Sequence, residues 1–233
     1  MTSSDPSRPT KDRAAIGGSS ANSTVGEVYQ RSRERLSASL TSLNSTQWGV
    51  AVPACPGWSV HDVVAHLVGV IEDSTAGLLN GPPNPEQTAA EVARHQKDAP
   101  SELLQAWTSL SPQFERAITE FKIWPACIDA LTHEHDILAA LQLPYDANSD
   151  DVREIARGLT RGLPSSISVA LDGQLNGNNE APVRLSTTSY EFFRLRLGRR
   201  SARQIQAMDW NPAPPASLDG LVVFGPTEHD LIE

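Results

Sequence analysis

Apolar residues recur at helical spacing in four stretches of this chain. The first runs from about Val25 to Leu43, and the second begins after Ser59, where Asp62 three residues on completes a capping box. The other two cover about 101–121 and 125–141. A proline-rich connection, GPPNPEQTAAEVARHQKDAP, separates the second stretch from the third and has room for a short helix near 86–96. Four helices with one long connection predict a four-helix bundle with a long crossover.

The pattern changes after residue 145 and becomes mixed. It predicts a helix over about 150–161, a strand at ISVALDGQL, a turn at Asn176–Asn179, a strand at VRLST, a helix over about 188–197 and a last strand at LDGLVVFG. The predicted fold is mainly α, a bundle followed by a small α+β domain. We predict three parts: a disordered tail over 1–23, the bundle over 24–145 and the α+β domain over 146–233.

Composition narrows the classes of protein that the chain can belong to. Its 233 residues carry a formal net charge of −9, which argues against broad nucleic-acid binding, since that depends on a basic surface. No apolar run is long enough to span a membrane, and the N-terminus has no apolar core of a signal peptide. Two cysteines are too few for a disulfide framework, so we expect a cytoplasmic protein with reduced thiols. Nothing indicates the oligomeric state, and a homodimer stays open.

Three residues suggest chemistry: His66, Asp129 and His133. Asp129 and His133 are four residues apart in IDALTHEHDILAAL, which puts both on one face of a helix, and His66 lies beside the apolar stripe of the second helix. Two imidazoles and a carboxylate form an open, zinc-type ligand set if the helices face each other. Asp136 could hold the His133 ring in place. The alternative is that both histidines are ordinary core residues and that Asp129 is a surface acid.

The remaining candidates are less specific. His61 and His135 fall on other helix faces, where we expect solvent exposure. Both cysteines, Cys55 and Cys127, are expected to be small buried hydrophobes without a nucleophilic role. An arginine cluster stands out in this acidic chain and could clamp a substrate carboxylate or could form a solvated helix face. Its members are Arg194, Arg196, Arg199, Arg200 and Arg203.

Two motifs resemble those of the mycothiol-dependent maleylpyruvate isomerase family, within the wider DinB-like superfamily. The first is VPACPGWSVHDVVAHLVGV, whose Pro-Gly-Trp turn precedes a helix ending in Ala-His-Leu with His66. The second is Asp129 four residues before His133, with Asp136 three residues after it. The segments SYEFFRLRLGRRS and LDGLVVFGPTEHDLIE are similar to the small sterol-carrier-like C-terminal domain of these proteins. The resemblance covers about Val25 to Glu233.

The resemblance implies a bundle with one divalent metal ion, usually zinc, held by His66, Asp129 and His133. It also implies mycothiol bound beside the metal, and therefore an actinobacterial host. Arg199 is the implied catalytic arginine, because Gly198-Arg199 matches a Gly-Arg of the family's C-terminal domain. The family's acid is commonly Glu. The shorter Asp129 requires a metal closer to its helix or a looser ligation.

We therefore expect a metal-dependent, mycothiol-dependent isomerase or thiol S-transferase. Its partners would be the low-molecular-weight thiol and a small electrophile that could carry a carboxylate. A divalent cation lowers the pKa of a thiol or water that it binds, and a thiolate is the stronger nucleophile. Two alternatives remain at this stage: a metallohydrolase that uses metal-bound hydroxide, and a non-enzymatic module that binds a metal or ligand.

Overall fold

The computed structural model describes residues 23–233, so most of the predicted disordered tail lies outside the described residues. The helices are α1 (Val25–Leu40), α2 (Ser45–Trp48), α3 (Val60–Thr75), α4 (Pro85–His95), α5 (Pro100–Glu120), α6 (Trp124–Ala140), α7 (Asp150–Leu159), α8 (Ser189–Arg196) and α9 (Ala202–Gln206). The strands are β1 (Ile167–Leu171), β2 (Gln174–Gly177), β3 (Val183–Thr187) and β4 (Asp209–Asn211). A single 3-10 turn, Thr160–Gly162, follows α7. None of the described helices has both the length and the apolar character that a membrane crossing requires.

The bundle predicted from the apolar spacing is confirmed. Helix α1 packs against α5 and α6, helix α3 packs against the same two helices, and α4 lies along the outside of α3. In the core between α1 and α5, the indole nitrogen of Trp107 donates a 2.9 Å hydrogen bond to the Tyr29 hydroxyl. The fold is therefore mainly α, as expected.

Local capping sets where the helices begin. Ser59 caps α3 by accepting from the backbone of Asp62, whose carboxylate accepts in turn from the Ser59 backbone, as the sequence predicted. Asn44 makes the same reciprocal arrangement with Gln47 and begins α2, a short helix inside the segment that the sequence analysis left as a linker. The first helix consequently ends at Leu40, before the predicted Leu43.

The four-stranded sheet has the order β2-β1-β3-β4, in which only the β1–β3 pair is parallel. The prediction of one strand at ISVALDGQL was wrong, because the segment is a hairpin. Asp172 and Gly173 have φ angles of 50° and 82°, the left-handed conformations that a two-residue Asp-Gly turn requires. The turn predicted at Asn176–Asn179 therefore starts inside β2.

The predicted last strand at LDGLVVFG was also wrong. This segment forms turns and bends, and the last strand is β4, which pairs with β3. Leu221 and Val222 are buried, and the Val223 amide donates to the carbonyl oxygen of Arg196 at 2.8 Å. The apolar run thus packs against the end of α8 as a loop, which explains its strand-like composition.

Candidate metal centre

The structure brings His66, Asp129 and His133 together between α3 and α6. The Nε2 atom of His66 lies 3.4 Å from one carboxylate oxygen of Asp129, and the Nε2 atom of His133 lies 3.4 Å from the other. One donor atom from each of the three residues falls within 4.8 Å of the others. Donors about 2.0–2.1 Å from a tetrahedral zinc ion are separated by about 3.3 Å, so the spacing suits such an ion.

The two rings are held edge to face, with centroids 5.4 Å apart and an interplanar angle of 85°. Both histidines are buried, whereas the Asp129 side chain keeps 34% of its surface exposed. The cluster is therefore rigid on its protein side and open on the side of Asp129. Catalytic metal sites have this open character, whereas structural zinc sites are closed.

A buried carboxylate fixes the His66 ring from the other side. Nδ1 of His66 lies 2.7 Å from a carboxylate oxygen of Glu91, which is fully buried on α4. The helices come this close because residue 69 is glycine: a Cβ there would lie 2.5 Å from the Glu91 Cβ. Trp58 also packs against the His66 ring, with centroids 5.3 Å apart. The sequence analysis missed Glu91, since α4 was expected only as a short helix in a connection.

Asp136 plays the corresponding part for His133. Its carboxylate lies 3.1 Å from Nδ1 of His133, as the three-residue spacing suggested. The fully buried guanidinium of Arg194 donates to the other oxygen of Asp136 at 2.6 Å. Arg199, from the cavity side, donates at 2.8 Å to the oxygen that faces His133. Arg194 also binds the Glu233 carboxylate. A chain of charges therefore runs from the C-terminal segment to the His133 ring.

Cys55 is the further residue at this cluster that the sequence analysis did not place there. It is buried as expected, but its sulfur lies 3.6 Å from Nδ1 of His133 and 3.6 Å from Asp136. Cys127, in contrast, donates to the Trp124 carbonyl oxygen at 3.2 Å, and burial raises the pKa of its thiol to about 12. The Cys127 thiol is therefore paired with the backbone and not with Asp129, which agrees with the two-residue spacing between them on a helix.

The charges of the cluster reinforce one another. Burial lowers the pKa of both imidazoles, but neighbouring groups outweigh it. Cys55 and Asp129 raise the pKa of His133, and Asp129 raises the pKa of His66. Burial alone would raise the pKa of Asp129, but the two histidines outweigh it and lower that pKa. A cation that binds here therefore has to displace protons from the rings.

The donor set fits a divalent metal ion on two grounds. Each imidazole is oriented through Nδ1 by a carboxylate, the arrangement that protein metal sites use to fix the tautomer and direct Nε2 at the ion. The two Nε2 atoms then face Asp129, which supplies the negative charge that a cation needs. His66, Asp129 and His133 are the residues that would hold it.

Some of the other sequence predictions were wrong. His135 is buried, not exposed, among Tyr145, Tyr190 and Phe193, and burial lowers its pKa to about 4. His61 is half-buried and its ring bonds to the Asp98 carbonyl oxygen at 2.9 Å.

The arginine cluster does not form a solvated helix face. Arg194, Arg196 and Arg200 are buried, while Arg203 remains largely exposed. The carboxylate that Arg199 contacts is Asp136 of the same chain. Burial makes these arginines depend on internal partners, which no sequence pattern had identified.

A cavity of about 310 Å³ opens beside the cluster. Asp129 and Arg199 both contribute to its wall. Most of the remaining wall is apolar and comes from α3, the segment before α4, α5, α6, the end of α7 and the segments after α8. This volume falls within the range of small-molecule sites. The cavity connects the candidate metal centre to space for an organic ligand.

Comparison with known proteins relates the fold and the site to one family. Residues 29–140 match the family model described as the mycothiol maleylpyruvate isomerase N-terminal domain. A crystal structure of the mycothiol-dependent maleylpyruvate isomerase with one histidine replaced by alanine aligns with a TM-score of 0.54 at 14% identity, over 82% of this chain and 95% of that chain. Another crystal structure of the isomerase gives 0.50 at 16% identity, with the same coverage. The structural alignments show a shared fold at these low identities. No curated protein matches the chain significantly.

Proposed function

Because residues 29–140 belong to the mycothiol maleylpyruvate isomerase N-terminal domain family, we propose that this protein is a metal-dependent enzyme that uses mycothiol to isomerise a small electrophile or to transfer the thiol to it. The observation that carries the proposal is the convergence of His66, Asp129 and His133 on one point, with both rings held by carboxylates. Zinc is the first choice of metal for two imidazoles and one carboxylate.

The cation would supply the positive charge that favours a thiolate, and mycothiol would supply that thiolate as the nucleophile. The protein's own residues prepare the site for both. Glu91 and Asp136 accept from Nδ1–H, which leaves the Nε2 lone pairs of the two rings free for the ion. Asp129 lines the cavity and is partly exposed, so the ion would remain accessible to the thiol and the electrophile.

Arg199 is the proposed catalytic arginine. It stands in the cavity wall with 13% of its side chain exposed, and Asp136 fixes its position. A guanidinium held in this way can donate a hydrogen bond to an oxygen of the electrophile without a large loss of side-chain entropy. In this role it would orient the electrophile relative to the metal centre.

The test combines metal analysis with a thiol-dependence assay. Mass spectrometry of the purified protein should find about one divalent ion per chain, and calorimetry should detect mycothiol binding that disappears when the metal is removed. Turnover of at least one member of an electrophile panel, with maleylpyruvate included, should require both components. Turnover without thiol would favour the metallohydrolase reading instead. Metal binding with no turnover of a broad electrophile panel would favour the non-enzymatic module.

A further inference from the structure

We propose that the electrophile taken by this site is neutral and predominantly apolar, and that it binds in the cavity beside Asp129 and Arg199. The wall of this cavity favours such a ligand over a small dicarboxylate. The term electrophile rests on the proposed function, whereas the apolar character of the ligand rests on the cavity alone.

The composition of the wall is the first argument. Of the 18 described residues that line the cavity, four have polar side chains: Ser74, Asp129, Thr132 and Arg199. The Thr132 hydroxyl is already committed, because it donates to the Ile128 carbonyl oxygen at 2.6 Å. A ligand that fills about 310 Å³ of such space gains mainly from the removal of apolar surface from water.

The charge balance is the second argument. Arg199 is the one cationic residue among the described residues of the wall, and its guanidinium lies 2.8 Å from the buried carboxylate of Asp136. It therefore brings little uncompensated positive charge. Two neutral imidazoles and Asp129 around a bound divalent ion would leave one net positive charge, which the thiolate of the proposed function would neutralise. A dianionic ligand would lose its hydration without gaining a counter-charge.

The rim of the cavity is the third argument. Phe224 and Val223 lie in the wall yet keep 68% and 52% of their surface exposed, and Ile123 keeps 38%. The core does not require these exposed side chains, and they come from two different segments of the chain. Exposed apolar side chains in the wall of an apolar cavity are typical of a ligand-binding site.

The experiment measures binding without turnover. Calorimetric titrations of the metal-free protein, and of the metal-loaded protein saturated with mycothiol, would compare methyl 3-phenylpropanoate, which is neutral and unreactive, with the dianion 2-phenylsuccinate. We expect the ester to bind at least roughly tenfold more tightly than the dianion to both forms of the protein. Tighter binding of the dianion, or no binding of the ester, would overturn the proposal.

Two matched variants locate the binding. Phe224→Asp places a charge at the rim of the cavity, whereas Phe121→Asp makes the same change at a residue of similar exposure, 70%, that does not line it. Neither change disturbs a buried side chain, so both variants should fold. The ester should bind roughly tenfold more weakly to Phe224→Asp and unchanged to Phe121→Asp. Equal losses in both variants, or no loss in either, would place the ester elsewhere and refute the proposal.

This design separates the two proposals. Ester binding that depends on Phe224, combined with no thiol-dependent turnover of any neutral electrophile, would support the apolar cavity and contradict the proposed enzyme. Thiol-dependent turnover combined with tighter binding of the dianion would support the proposed enzyme and contradict the neutral, apolar ligand.

Discussion

The carboxylate of Glu91 and the imidazole of His66 are 25 residues apart in the chain and 2.7 Å apart in the fold. Glu91 is fully buried, and its second oxygen has no hydrogen-bond partner among the described residues. A buried carboxylate is costly unless it is paired, so its position beside the ring points to a role in orienting His66.

We predict that Glu91→Gln lowers the affinity for a divalent metal by roughly 10- to 100-fold while helical content is retained, as found when outer partners of metal-bound histidines are replaced. Glutamine keeps the size of the side chain but removes the charge that favours the Nδ1–H tautomer. A chelator competition assay measures the change. Glu86→Gln, at an exposed position on the same helix, is the control and should bind metal as the wild type does.

Gly69→Ala tests the close approach of α3 and α4. The added Cβ would lie 2.5 Å from the Glu91 Cβ, so α4 has to move outward and the contact with His66 lengthens. We expect a loss of about 1–3 kcal/mol in the free energy of unfolding, typical of overpacking, together with weaker metal binding.

The control for this substitution is Gly158→Ala in α7, where an added Cβ meets nothing within 4 Å. Alanine favours a helix over glycine, so this variant should gain up to about 1 kcal/mol. Urea denaturation compares the two. Equal stability changes would show that the contact between Gly69 and Glu91 does not limit packing.

His133→Ala should abolish stoichiometric metal binding and keep most of the helical content. The residue supplies one of three donors, and the other two cannot hold the ion as tightly. Elemental analysis and circular dichroism give the two readouts. His229→Ala, at an exposed position away from the cluster, should keep its metal. Unchanged metal content in His133→Ala would refute the ligand assignment.

Metal affinity should fall steeply as the pH is lowered. In the metal-free protein the pKa values of His66 and His133 are raised, so protons compete with the ion for both rings up to a higher pH than they would for free imidazoles. Raising the pH removes these protons, which strengthens binding, and lowering it does the opposite. Calorimetry in two buffers of different ionisation enthalpy should detect proton release on binding. Affinity that does not change with pH would contradict the assignment.

Much of the bundle and the central trio could be predicted from the sequence because both depend on local periodicity. The spacing of Asp129 and His133 fixes their common face on any helix, and the Ser59 cap fixes the start of the helix that carries His66. The Asp172-Gly173 pair is an equally local hairpin signal, but the weak alternation of apolar residues continues through it and conceals the break between β1 and β2.

The partners of the trio could not be predicted in the same way. Glu91 reaches His66 only because Gly69 allows two helices to touch, and Arg194 reaches Asp136 from a part of the chain 58 residues away. Such contacts depend on tertiary packing, which produces no periodic pattern of residue types in the sequence. The burial of His135 has the same cause, since aromatic residues from later segments cover it.

Asp136 forms ion pairs with Arg194 and Arg199, and these two arginines lie beyond residue 145. A fragment cut at that predicted boundary would keep all three proposed metal ligands but would leave the buried Asp136 carboxylate unpaired next to one of them. Such a truncated bundle would be a poor stand-in for the whole protein in metal titrations. The loss of affinity would come from a misaligned imidazole, although no ligand had been deleted.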